Sequence, residues 1–292
     1  MAIGQDTASP TPYPKVRRMR FRFGRPEPMA HHFVQDDIPL THLVALLSGA
    51  FPPGEESFIR SVRKFSGEIT DPVLKKRVAG FIGQEAMHGN QHRALNEQLI
   101  DMGFPIVRVF TFEPGALRER ALIMVENLVP RHMHLAVTAL AEHYTSTLAN
   151  RVLGNPDIQA IPGDPEVWNL LNWHAFEELE HKSVAFDVYR ATGGSEVVRI
   201  VLMAGTYAFT IPVVSLGVAA SILGDPHSWR PIKVLRESIR LYRGPIVRGF
   251  MKEIRPYMRP GFHPDDIDTD ALLEHWRREL FGADGELLDR MS

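Results

Sequence analysis

Cysteine is absent from the 292 residues. That excludes disulfide frameworks, thiolate metal sites and cysteine nucleophiles together, and leaves any metal to nitrogen and oxygen donors. Strong net charge is missing too. The 33 basic and 35 acidic side chains give a formal net charge of -2, so no global field draws the chain to nucleic acid, and none is expected as a partner. The opening residues, MAIGQDTASPTPYPK, lack an apolar core and a small-residue cleavage site, which argues against a secretory signal and for a cytoplasmic protein. Gly-rich phosphate loops, nucleophile elbows and solenoid-period repeats are also lacking.

What is present is a helical pattern. Residues 15–25, KVRRMRFRFGR, alternate Arg with Met and Phe and predict an extended arm packed on the body. From Asp36 to about Arg190, apolar residues recur at spacings of three and four, which predicts four long helices. The first runs from about Leu40 to Phe65, with a break at Pro52-Pro53-Gly54. Asp71-Pro72 opens the second, Val73 to about Met102, and Gly103-Phe104-Pro105 stops it. The third covers about Ala116 to Leu153, interrupted near Pro130. Gly163-Asp164-Pro165 caps the fourth, from Glu166 to about Thr192.

The second helix carries Glu85-Ala86-Met87-His88 and the fourth Glu178-Leu179-Glu180-His181. In each, carboxylate and imidazole stand one turn apart on a helix face. His174 lies one turn before Glu178, so His174, Glu178 and His181 form a stripe. The third helix offers Glu142, alone in the apolar run LAVTALAEHYTSTLA, where an unpaired charge is costly to bury. The first offers Glu55 or Glu56. Phe58 and Val62 share the stripe of Glu55 and point it inward, while Glu56 falls beside Arg60 and Arg63.

The order Glu, Glu-x-x-His, Glu, Glu-x-x-His is that of dinuclear carboxylate bundles. It predicts an all-α, ferritin-like four-helix bundle with a dinuclear metal core plus extra C-terminal helices. The competing reading makes Glu85, Glu142 and Glu178 surface or salt-bridged residues, with Arg77, Arg93 and Lys182 as available partners. The predicted metal ligands are Glu55, Glu85, His88, Glu142, His174, Glu178 and His181. His92, a turn beyond His88, is expected to hydrogen bond a ligand, and Glu177, Glu180, His132, His134 and His143 are expected to be bystanders. Carboxylate and imidazole donors suit two iron ions, with manganese as the alternative. Three segments follow: an arm over 1–35, the metal-binding bundle over 36–195, and an apolar helix with a basic helical extension over 196–292.

The blocks FPPGEESF (51–58), FIGQEAMHGNQHRALN (81–96), TALAEHYTSTLA (138–149) and WHAFEELEHKSVAFDVY (173–189) resemble the bacterial family catalogued as predicted metal-dependent hydrolases. The resemblance covers most of the chain. It favours Glu55, because the recurrent element in that family is Gly-Glu and here it is Gly54-Glu55. A more distant resemblance is to the di-iron N-oxygenases of p-aminobenzoate and related arylamines. Their His-x-x-x-Glu-x-x-His helix is matched by His174, Glu178 and His181.

Four glutamates neutralise two divalent ions, and anionic oxygen ligands stabilise an oxidised metal. The first expectation is therefore an oxygenase or oxidase, with dioxygen as co-substrate, an external electron donor, and an apolar or aromatic substrate. The second is a hydrolase using a metal-bridged hydroxide. The third is metal storage or oxidant scavenging.

From Ile200 to Leu223 the chain has no charged residue and is long enough to cross a bilayer. Residues 229–259 hold nine Lys or Arg against two acidic residues, which places them in the cytoplasm, on the same side as the metal domain. The expectation is therefore a buried helix lining an apolar tunnel or a homodimer contact, with peripheral membrane attachment as the alternative. An apolar or amphipathic substrate follows from such a tunnel. His263-Pro264-Asp265-Asp266 with Asp268 reads as turn and cap residues.

Overall fold

The computed structural model describes residues 13–111 and 116–291, and these form an all-α structure. The N-terminal stretch before Tyr13 lies outside the described residues. In chain order the helices are α1 (Ile38–Arg63), α2 (Pro72–Asp101), α3 (Pro105–Phe110), α4 (Leu117–Leu128), α5 (Arg131–Gly154), α6 (Pro156–Gln159), α7 (Pro165–His181), α8 (Val184–Ala191), α9 (Glu196–Leu223), α10 (Pro231–Arg243), α11 (Phe250–Ile254) and α12 (Asp270–Phe281). Three of the long helices start as the sequence dictates. Asp37, Asp71 and Asp164 each cap the first turn with a side-chain oxygen, and a proline follows in that turn.

The bundle consists of α1, α2, α5 and α7, with α1 packed on α2 and α5 on α7. Ser48 faces Asn96 and Glu56 faces Arg93, so α1 and α2 run antiparallel. Its apolar interior falls into two clusters. One contains Leu43, Leu95, Leu99, Ala149, Leu153 and Trp173; the other contains Val62, Phe81, Leu135, Ala139, Val184 and Tyr257. Along every bundle helix the glutamates and histidines of the motifs lie between or beside these clusters.

Two of the predicted helix boundaries are corrected. Pro52 and Pro53 do not break α1, which runs through them unbroken. Pro52 cannot donate to the Ser48 carbonyl, but the Asn96 side chain donates to that oxygen instead, at 2.9 Å. The fourth predicted helix does not continue to Thr192: it ends at His181, and α8 follows after Lys182-Ser183. The Lys182 ammonium reaches the Ile267 carbonyl and Thr269, and Arg77 donates to Ser183 at 2.7 Å. Bonds from distant segments therefore fix that corner. The interruption near Pro130 is complete and separates α4 from α5.

The arm is extended, with Arg17, Met19, Phe21 and Phe23 buried and the residues between them exposed. It passes over α2 at Gly80 and Gly83. A Cβ at either would come within 2.3 Å of Pro14 or Val16, so only glycine allows this approach.

The largest correction concerns α9. It packs one side on α1 and α5, yet only Arg199, Met203, Ser221 and Ile222 are buried. Its outer side is uncovered. No α9 residue lines the apolar cavity that reaches the core; that cavity lies among α1, α5 and α7.

Candidate metal centre

All seven predicted ligands are buried in the middle of the bundle. Donor atoms of six of them fall into two groups, Glu55 with His88 and His174, and Glu85 with Glu178 and His181. Within each group they lie no more than 4.8 Å apart. Glu178 lies between the groups: its Oε1 is 3.0 Å from His174 Nε2, 3.5 Å from His181 Nε2 and 3.7 Å from His88 Nδ1. His181 Nε2 lies 3.4 Å from Glu142 Oε2 and 3.1 Å from Glu85 Oε1. Glu85 and His88, neighbours on one helix face, thus serve different groups.

Each imidazole turns one nitrogen to the centre and gives the other to a partner. His174 Nδ1 meets His92 Nε2 at 2.7 Å, and His92 in turn contacts Ser48 at 2.9 Å. His181 Nδ1 meets Gln84 Oε1 at 2.9 Å, and His88 Nε2 meets Glu177 Oε2 at 3.1 Å. Such partners fix tautomer and ring orientation. Arg17 of the arm binds Glu177 at 2.8 Å and Glu180 at 2.7 Å. Glu177 and Glu180, expected to be bystanders, therefore join the arm to the centre. Gln84, Arg17 and Gly89 were not singled out from the sequence, since their roles depend on contacts across 80 or more residues or on space alone. A Cβ at Gly89 would lie 3.1 Å from Glu55 Oε2.

Glu56, by contrast, is partly exposed and pairs with Arg60 and Arg93. The proposed salt-bridge partners of the core glutamates are engaged elsewhere. Arg77 holds Asp187, Arg93 holds Glu56, and Lys182 caps the turn at Ile267. His132 and His143 bond backbone carbonyls, and His134 bonds Ser57. His263 contacts Asp187 and forms a capping box with Asp266.

The chemistry of the donor set fits cations. Both oxygens of Glu55, Glu85 and Glu142, Oε2 of Glu178, Nδ1 of His88 and Nε2 of His181 are buried without a hydrogen bond. Unpaired buried carboxylates are costly, and here the unpaired atoms converge. Burial, reinforced by Glu85 and Glu178, pushes the Glu55 and Glu142 carboxyls well above the usual range. Burial also raises Glu85 against the pull of His181. Burial opposes ionisation of Glu178, yet His181 and His174 hold it well below that range. Burial keeps His88 and His92 neutral, both far below an ordinary imidazole. Without cations the group must therefore hold extra protons, whereas two divalent ions would balance four carboxylates.

A second cluster makes a useful contrast. His31, His32, His42 and His227 surround Asp225, with His31 at 2.8 Å and His42 at 3.3 Å. Ser221 and Ser228 complete its bonds to His42, at 2.7 and 2.9 Å. None of its buried polar atoms lacks a hydrogen bond, so it is a self-sufficient network that ties α1 to the turn after α9.

A cavity of about 110 Å³ opens beside the centre, lined by Leu43, Leu47, Phe51, Leu148 and Leu171 and ending at His174 and Glu178. Phe51 packs on His174 with ring centroids 4.7 Å apart. The site thus pairs an apolar chamber with one edge of the donor cluster.

No curated protein and no solved structure matches the chain. A family described as predicted metal-dependent hydrolase matches residues 15–268, from the Arg17 arm through all seven core donors. With that match running over a donor cluster suited to cations, the chain belongs to the predicted metal-dependent hydrolase family.

Proposed function

We propose that this protein is a metal-dependent hydrolase with two divalent ions at the glutamate–histidine core, acting on an apolar or amphipathic substrate. The observation that carries the reading is the convergence of buried carboxylate oxygens that have no hydrogen bond. Glu55, His88 and His174 would hold one ion and Glu85, Glu178 and His181 the other, with Glu178 between them and Glu142 beside the second. Bound ions supply Lewis-acid polarisation of a carbonyl or phosphoryl oxygen and make a water more acidic.

The chain's own residues supply position and proton handling. His92, Gln84 and Glu177 orient the three imidazoles. Burial raises the Glu177 carboxyl to about 7 despite Arg17, so it can hold or release a proton at Oε2 near neutral pH, 3.1 Å from His88. The chamber lined by Leu43, Leu47 and Phe51 is apolar and rewards buried carbon at about 25 cal/mol per Å².

Oxidation is the second reading. It is favoured by a donor set of carboxylate and imidazole alone, and by the His174, Glu178, His181 stripe similar to that of the arylamine N-oxygenases. It calls for iron, dioxygen and an external electron donor. The test is metal analysis after saturating reconstitution, followed by assays of Zn(II)- and Fe(II)-loaded protein. We expect two ions per chain, and ester or amide cleavage that survives with zinc. One ion or none overturns the dinuclear reading. Inertness with zinc, together with oxygen uptake and an oxidised organic product with iron, replaces hydrolysis by oxidation; oxygen uptake with iron deposition and no organic product marks storage or scavenging.

A further inference from the structure

The uncharged run of α9 is the one described helix long and apolar enough to cross a membrane, by length and composition. Its packing argues against crossing. At its start, buried Arg199 donates to the Tyr257 and Arg259 carbonyls; near its end, Ser221 bonds His42 of α1. Both ends are therefore fastened to the same body, and the helix lies along it. Its outer side presents Val201, Phe209, Val213 and Leu216, each more than 60% exposed.

The neighbouring α10 extends this surface. Ile232, Leu235, Ile239 and Tyr242 are exposed at spacings of three and four, which makes one stripe. Tyr242 bonds Ser215 of α9, and the exposed Trp229 donates to the Leu223 carbonyl at the corner between the helices. The apolar sides of α9 and α10 are thus continuous. On the helical wheel Arg236 and Arg243 fall next to Ile232. Both are exposed, as is Arg248, and among the described residues none of the three has an ion pair. Aromatic and aliphatic side chains bordered by arginines match the acyl–headgroup boundary of an anionic bilayer. A second copy is the poorer occupant, since a two-fold contact would bring this cationic border against itself.

We propose that the outer side of α9 and α10 docks on an anionic lipid surface, with α10 lying in the plane of the interface. Beneath the patch, a cavity of about 280 Å³ lies between α9, α10 and α1. Leu43 lines both it and the chamber that ends at Glu178, and Ile246 and Val247 adjoin across the two. Entry of a lipophilic substrate from the bilayer along this route rests on the function proposed above; docking does not.

The experiment is co-sedimentation of the full chain with vesicles of phosphatidylcholine alone or mixed with phosphatidylglycerol, with and without reconstituted metal. Trp229 emission is followed in parallel. We expect binding to the anionic vesicles alone, a blue shift abolished by Trp229→Phe, and weakening with salt. Arg236→Glu combined with Arg243→Glu should lose about thirtyfold or more in affinity, and Ile232→Glu or Leu216→Glu should abolish binding while circular dichroism is unchanged. Metal removal should leave binding intact, which keeps this test separate from that of the metal centre. No binding, binding indifferent to these exposed substitutions, or a concentration-dependent dimer broken by Leu216→Glu would overturn the proposal.

Discussion

At Gly89 two ordinary effects oppose each other. Alanine in place of a helical glycine usually stabilises by about 0.5–1 kcal/mol. Here the added methyl would press on Glu55 Oε2 from 3.1 Å and displace a donor of the first group. Gly89→Ala is therefore expected to raise the urea midpoint of the metal-free chain while weakening metal binding by roughly tenfold or more, within the range for disturbed ligand support. Isothermal titration with metal and denaturation of the metal-free chain measure the two effects separately. Equal metal affinity in the variant would show that Gly89 does not hold Glu55 in place for the metal. Away from the centre, burial lowers His42 to about 4. The unfolded chain takes up a proton near pH 6.5 that the folded chain refuses until pH 4, so stability is lost as pH falls through this window. The loss approaches about 3 kcal/mol at its lower end. His42→Gln cannot charge, and its denaturation midpoint should fall less than that of the wild type between pH 7 and pH 4.5.

For the elements, α1 gives a direct test of how a helix survives two prolines. Asn96→Ala removes the donor to the Ser48 carbonyl and leaves a buried acceptor that α1 cannot satisfy, at a cost of about 1–3 kcal/mol. Asn96→Asp keeps the size but not the donor and should behave alike. A variant as stable as wild type in urea would place the tolerance of Pro52 elsewhere. This bond also explains why the predicted break was misplaced: its donor is 48 residues away, beyond any local signal. The starts of α2 and α7 were legible because their Asp-Pro pairs act within one turn. Glu55 was separable from Glu56 because helical phase alone decides which of them faces Phe58 and Val62. The end of α7, the arm's hold on Glu177 and Glu180, and the His42–Asp225 network were not legible, since each joins segments whose proximity only the fold creates. For α9, composition fixed the helix but not its exposure. A run without charges reads alike whether protein covers it or not.

Across the whole molecule, a layer of carboxylates and imidazoles lies between two apolar clusters, and this sets where the structure is weakest. Each cluster has its own side chains to hold it, whereas the layer between them would rely on the proposed cations for its charge balance. In metal-free protein the middle of the bundle, rather than its helix ends, should become the least protected region. Amide hydrogen exchange should then be faster around residues 85–92 and 174–181 than around 95–99 and 135–140, and reconstitution with metal should erase the difference. Uniform exchange in the metal-free chain would contradict this. The ions would act as the rivet between the two apolar clusters, so their loss should broaden or split a single melting transition.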